Sequence, residues 1–277
     1  MRRHAVVPGA ESRFRAFLDG TQRSVVGMYD GIVPLVFGVV SAVIRERVDR
    51  RMRTWNAPEQ EMSIYASKAQ LTAVRWDTLQ AAADPIALRD TTEQGEPGIA
   101  HPLTLRDAAY RLVQARREAA EHRLAVRWCQ SERNPLFIDG SITGGEAVSS
   151  SEWAIGVVKS HLTLYAEGRD IDLIMTLGEN ERTSVFRVVP RNRRPVASWY
   201  LRMRDPAGRD PMWGLVRVEV ADSPSATPAH LAARADEVSS WILAESSPLA
   251  LPDGRWDTMV YGVRDCEEYL RAVHFQT

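Results

Sequence analysis

Two short apolar runs, each stopped by the same kind of turn, set the strongest limit on how this chain folds. Phe14-Arg15-Ala16-Phe17-Leu18 ends in Asp19-Gly20-Thr21, and Pro135-Leu136-Phe137-Ile138 ends in Asp139-Gly140-Ser141. A short apolar run closed by a turn reads as a buried strand. An acid at the end of such a strand is held on a rigid scaffold and still reaches water, as catalytic carboxylates often do. A lone Asp-Gly is most often a surface turn. Two of them, on strands that can be neighbours in one sheet, make an oxygen-rich site suited to Mg²⁺ or Mn²⁺. Such ions activate water and stabilise the charge that develops during phosphodiester cleavage.

The 277 residues can bury a sizeable core in one large domain or two small ones. The net charge of −1 excludes a globally basic nucleic-acid binder, so any such affinity needs a local patch. Almost all the positive charge is arginine; Lys68 and Lys159 are the two lysines. Cys129 and Cys266 lie far apart with no CxxC, which predicts reduced thiols in a cytosolic protein. The N-terminal MRRHAVVPGAESRFR has no apolar core long enough for a signal peptide. The run from Gly31 to Ile44 is too short to span a bilayer. A soluble cytoplasmic protein is expected. The histidines show no i, i+3 or i, i+4 pair, and GxGxxG, GxxxxGK[ST] and GxSxG are all missing, which removes the usual signatures of Rossmann, P-loop and α/β-hydrolase chemistry.

Along the chain, residues 1–11 read as a loose arm and 13–44 as consecutive strands with an Asp30-Gly31 hairpin turn. Asp30 is a rival acid, but its place in the turn favours a plain surface role. Arg45 to Trp55 (RERVDRRMRTW) is arginine-rich, either a solvated edge or a phosphate-facing patch. Residues 58–83 read as a helix ended by Asp84-Pro85, and 90–102 as a polar loop. A second helix starts at Leu103-Thr104, with Thr104 as its cap, and runs to about Ser131 carrying Glu118 and Glu121 one turn apart. Ser149 to Ser151 can cap a short helical turn. Ala154 to Val158 is strand or helix and leads into Lys159, which can hold a scissile phosphate or be an ordinary surface lysine. Residues 171–220 look strand-rich. Arginines there interleave with Phe186, Trp199 and Tyr200, a pattern that suits single-stranded nucleic acid or the wet face of a sheet. Thr227-Pro228 opens a helix to 246, 248–257 is a loop, and 265–274 is a final helix bearing Glu267 and Glu268.

The order FLDGT, a helix glutamate, LFIDGS, GVVKSH, SWYLRM, GLVRVE and RWDTMVYGVRDCEEYLR resembles the NurA nuclease family over roughly residues 13 to 273. The resemblance implies an α/β, RNase H-like fold, a mixed sheet flanked by helices. Residues 1–277 would form a single domain, with a helical insertion at about 45–131 after the first strands. It implies a Mn²⁺- or Mg²⁺-dependent deoxyribonuclease acting on DNA, a homodimer, and a HerA-like hexameric ATPase as partner in DNA end processing or phage defence. By motif, Asp19 and Asp139 are the two strand-end acids and Lys159 the lysine of the GVxKS motif. Glu121 is the helix acid, with Glu118 as runner-up. The C-terminal motif departs from the family: Gly262 replaces a proline, and Glu267 takes the final ligand position with Asp236 and His230 as competitors. Asp19, Glu121, Asp139 and Glu267 would hold the metal, with Lys159 on phosphate. A second class is a non-catalytic subunit that docks on the ATPase and guides DNA. A third is an RNase or Argonaute-like enzyme of the same fold, with no room for guide-binding domains.

Overall fold

The computed structural model describes residues 1–92, 101–161, 163–189, 194–223, 225–246 and 260–274. Its first half contains β1 (Arg3–Ala5), β2 (Ala16–Asp30), β3 (Val33–Val48), β4 (Arg51–Thr54), β5 (Glu59–Ala66), α1 (Ala73–Ala83), β6 (Ala87–Asp90) and α2 (Pro102–Ser131). Next come β7 (Leu136–Asp139), α3 (Glu146–Ser149), β8 (Ala154–Val158), α4 (Arg169–Met175), β9 (Glu181–Thr183) and β10 (Phe186–Val188). The chain then adds β11 (Val196–Arg202), β12 (Leu215–Ala221), α5 (Pro228–Glu245) and α6 (Tyr261–His274). The architecture is α/β, with a mixed sheet flanked by helices. Two compact units are formed: Met1–Asp19, Ile44–Trp55 and Leu124–Thr277 make the first, and Gly20–Val43 with Asn56–Arg123 the second. Among the described residues, no helix is long and apolar enough to cross a membrane.

In the first unit the strand order is β1-β9-β11-β12-β8-β7-β2. β2, β7 and β8 run parallel, whereas β12 joins β8 antiparallel and β11 joins β12 antiparallel. Phe14, Phe17, Phe137 and Trp241 pack with ring centroids 5.2 to 6.1 Å apart behind β2 and β7. Each such ring contributes about 2 to 3 kcal/mol by leaving water. This cluster fixes the two strands just before their acids. α5 begins as expected, with the Thr227 side chain accepting from the His230 amide at 3.2 Å and Pro228 in the first turn.

In the second unit β2, β3, β5 and β6 follow in that order. One of its cores gathers Val36, Val40 and Tyr65 against Ala109 and Val113 of α2, and another gathers Val33, Leu35 and Ala66 against Trp76 and Leu105. The Asp30-Gly31 turn forms as expected, with Gly31 at φ +60. Asp30 is spent on Arg75 at 2.6 Å, the surface role its turn position favoured.

Several local expectations are corrected. Residues 59–66 form a strand, and only 73–83 of the expected 58–83 helix is helical, so the segment after the first strands is not a purely helical insertion. Glu59–Ala66 alternates between exposed and buried, and β3 offers it a full antiparallel ladder; that pairing outweighs the helical spacing of Met62 and Tyr65. The expected strand DIDLIMTLG, residues 170–178, is instead largely the helix α4 over Arg169–Met175. The loose arm carries β1, paired to β9. α2 begins one residue early, at Pro102, and the His101 ring accepts from the Leu103 amide at 3.2 Å, so Thr104 lies inside the helix and is not its cap. Ser149 ends a short helix that starts at Glu146. The interleaved arginines and aromatics of 199–202 are core: Trp199, Tyr200 and Arg202 are fully buried, and Arg202 donates to the carbonyls of Leu177, Met175 and Trp213. Most of the 90–102 loop and all of the 248–257 loop lie outside the described residues.

Candidate functional site

β2 and β7 pair in parallel with Leu18 opposite Ile138. Asp19 and Asp139 are the next residues on each strand, so they stand side by side where the parallel ladder ends, on strands about 4.8 Å apart. β8 then sets Val157 opposite Asp139. Two residues further on, Lys159 donates from Nζ to Asp139 Oδ2 at 2.7 Å. The first unit therefore assembles three of the residues singled out by sequence, and Ala154–Val158 is resolved as a strand.

The turn behind Asp139 is built from below. Gly140 has φ +145, a conformation that residues with a Cβ rarely adopt, and its amide donates to Ile138 and Val157 carbonyls at 2.9 and 3.1 Å. Next, the Glu219 carboxylate accepts from Ser141 Oγ at 2.7 Å and from the Ile142 amide at 2.9 Å. Glu219 is fully buried and ion-paired to Arg217, whose guanidinium also lies 4.9 Å from the Tyr165 ring centre. A buried carboxylate is tolerated only when paired and hydrogen-bonded, and all of these partners converge on the loop that follows Asp139. Sequence reasoning missed Glu219 as a positioning group. The signal was present, since Arg217 and Glu219 are opposite charges two apart in a valine-rich strand and so share one face.

The other expected ligands are placed differently. In the second unit the Glu121 carboxylate lies directly over Gly20, where a Cβ would overlap it, and it pairs with Arg117 on the preceding turn. Glu118 is exposed and accepts from Gln114 at 2.9 Å. Back in the first unit, α6 packs Gly262 against the Phe17 ring, and the buried Cys266 thiol donates to the Phe17 carbonyl at 3.3 Å. Burial, reinforced by the negative charge of Asp19, pushes the Cys266 thiol well above its usual range. Glu267 follows on that helix and is paired to Arg271 at 3.0 Å. Asp236 is committed to the buried Arg182 at 2.6 Å. His230 lines a concavity at the opposite ends of β2 and β7. His161, two residues after Lys159, donates from Nε2 to the Leu215 carbonyl at 2.9 Å, and its Nδ1 is buried without a partner. Burial, with Arg217 and Arg202 nearby, holds the His161 ring below its ordinary value.

Two neighbouring carboxylates offer hard oxygen donors. Mg²⁺ commonly binds through one or two carboxylates, retained waters and substrate phosphate, so the Asp19–Asp139 pair fits such an ion. Among the described residues, no group of three or more His, Cys, Asp or Glu side chains is positioned to hold a metal ion. An ion held by this pair would take its remaining ligands from outside these two side chains. No protein-family model matches the chain, and no curated protein is significantly similar to it.

Proposed function

We propose that this protein is a metal-dependent DNA nuclease, a phosphodiesterase of RNase H-like type. The observation that carries the reading is the placement of Asp19 beside Asp139 where the parallel ladder of β2 and β7 ends, with Lys159 on Asp139. Asp19 and Asp139 would hold Mg²⁺ or Mn²⁺. Such an ion supplies an acidified water and neutralises charge on the scissile phosphate when bound. The chain's own groups do the rest. The aromatic cluster behind β2 and β7 keeps the carboxylates in fixed register. Glu219 holds the 140–142 loop. Lys159 brings one ammonium to the carboxylates, where a phosphate oxygen entering the site would find a donor. The proposal rests on Asp19 and Asp139 as the carboxylates that hold the ion. A HerA-like ring ATPase feeding DNA and a homodimeric assembly belong to the same proposal.

The test is cleavage of linear DNA and of matched RNA in Mn²⁺, Mg²⁺ or EDTA, for the wild type and Asp19→Asn. Metal-dependent loss of DNA, reduced at least about 100-fold in the variant, is expected for a residue that holds the ion. Preference for RNA would move the enzyme to another class.

One observation favours a second reading, a non-catalytic subunit that guides DNA to an ATPase. Asp139 already has a cation, the Lys159 ammonium, and the pair is complete without a metal. In that case Asp19→Asn leaves every measurable activity intact, and Mn²⁺ gives no thermal shift even with DNA present.

A further inference from the structure

The first unit contains a concavity of about 2000 Å³ that the nuclease reading does not use. It exceeds the roughly 300–1,000 Å³ of a small-molecule pocket, a size better matched to a length of polymer. It lies where β2 and β7 begin: Arg15 precedes Ala16 of β2, and Pro135 precedes Leu136 of β7. The acids sit where the parallel ladder of these two strands ends, about 13 Å further along at 3.3 Å per residue.

Its charges do not cancel evenly. Three of its arginines are spent, Arg47 on Glu245 at 2.7 Å, Arg234 on Glu237 at 2.7 Å and Arg194 on Glu146 at 3.6 Å. Asp222 is taken by Arg187, which lies outside the concavity, at 2.7 Å. Arg13, Arg15, Arg50 and Arg133 are exposed around it; among the described residues no carboxylate is paired with any of them, and Arg133 donates to the Cys129 carbonyl at 3.3 Å. Among the described lining residues, Glu11 and Glu152 are the acids left to stand against these four. Arg50 is presented by a two-residue turn between Val48 and Arg51, in which Asp49 and Arg50 have φ 50 and 63. Both positions favour glycine or asparagine, so an arginine there is held at a conformational cost. Three aromatic side chains share the lining: Trp241 is buried, whereas Trp153 ahead of β8 is half-buried and Tyr261 at the start of α6 is 47% exposed.

We propose that this arginine-lined concavity binds single-stranded nucleic acid, with Arg13, Arg15, Arg50 and Arg133 on successive phosphates and Tyr261 and Trp153 stacking on bases. Guanidinium groups free of carboxylates pair with phosphate in a forked geometry, and aromatic faces accept any base. Duplex DNA offers no unstacked bases to such rings. The proposal goes beyond the nuclease reading and stands without it, because binding here requires neither a metal nor the acids.

The test is fluorescence anisotropy in EDTA with a labelled oligo-dT of about 20 nucleotides, longer than the roughly 4–16 one such groove holds. Oligo-U, duplex DNA and inorganic tripolyphosphate form the other arms. Four phosphate contacts on a single strand predict a slope of log affinity against log salt near −3. Arg15→Glu with Arg50→Glu should weaken binding at least about tenfold and flatten the slope by about 1.4. Tyr261→Ala should weaken it with the slope unchanged. Arg169→Glu, an exposed charge reversal outside the concavity, should bind as wild type. Arg50→Gly should lose affinity with no fall in Tm, since glycine suits the turn, and this separates a binding role from a folding one. No binding by the wild type, full binding by the double variant, equal loss in the Arg169 control, or equal preference for duplex or tripolyphosphate would each overturn the proposal. Cleavage lost with this binding intact would count against the nuclease reading alone.

Discussion

Asp139 gives one oxygen to Lys159 at 2.7 Å, and that contact decides what single substitutions should do. Lys159→Met removes one charged donor from the site. It should lower kcat about 100-fold, the scale of a lost preorganised donor, while KM for DNA moves little. Steady-state cleavage in Mn²⁺ checks this, and an unchanged kcat would return Lys159 to the role of a surface lysine. His161 carries a pH prediction. Its ring is held below the ordinary value in the fold, chiefly by burial. The unfolded chain therefore takes up a proton first as pH falls below about 6.5. Stability present above that pH should be lost as pH drops through the folded value, and His161→Gln should flatten the loss. Urea unfolding at pH 7 and pH 5 reads it; equal pH dependence in the two proteins would contradict the assignment.

At the scale of elements, β12 holds the site together through Glu219. Removing one partner of a buried, hydrogen-bonded ion pair costs roughly 3–5 kcal/mol, because the other charge remains in the core. Glu219→Ala should therefore destabilise by about that much in urea unfolding. It should also slow cleavage at temperatures where the variant is still folded, since the loop after Asp139 loses two hydrogen bonds. A variant as stable as wild type would show that Glu219 supports nothing. The elements also show what a sequence can and cannot reveal. β7 and the start of β2 were legible because Phe17-Leu18 and Phe137-Ile138 are uninterrupted apolar runs, and burial on both faces demands that pattern; the expected stop at Asp19-Gly20 was not borne out, since β2 continues through it to Asp30 alongside β3. The start of α5 was legible because Thr227-Pro228 caps by local chemistry. β5 was not, because Met62 and Tyr65 fit a helix as well as a strand until β3 supplies a pairing partner. α4 was misjudged because Ile171 to Met175 is apolar enough for either element. Arg202 was read as a nucleic-acid contact or a group on the wet face of a sheet; its burial depends on carbonyls brought in by distant segments.

For the whole molecule, a net charge of −1 is compatible with nucleic-acid binding only if the positive charge is gathered locally. Arg13, Arg15, Arg50 and Arg133, where β2 and β7 begin, are such a gathering, with the two acids where the parallel ladder of those strands ends. With two acids in place and no third donor grouped with them among the described residues, metal affinity should depend on DNA. Mn²⁺ alone should shift Tm little, and Mn²⁺ with a non-hydrolysable phosphorothioate strand should shift it clearly; equal shifts with and without the strand would mean a preformed metal cage. The most direct measurement is cleavage of end-labelled linear DNA in Mn²⁺ by the wild type beside Asp139→Ala, each alone and with a HerA-like ATPase and ATP. Metal-dependent cleavage by the wild type, reduced at least about 100-fold in Asp139→Ala under both conditions, is the predicted result. Cleavage at equal rates by the two proteins would contradict the assignment of Asp139, and the absence of cleavage by either, even with the ATPase, would contradict the nuclease itself.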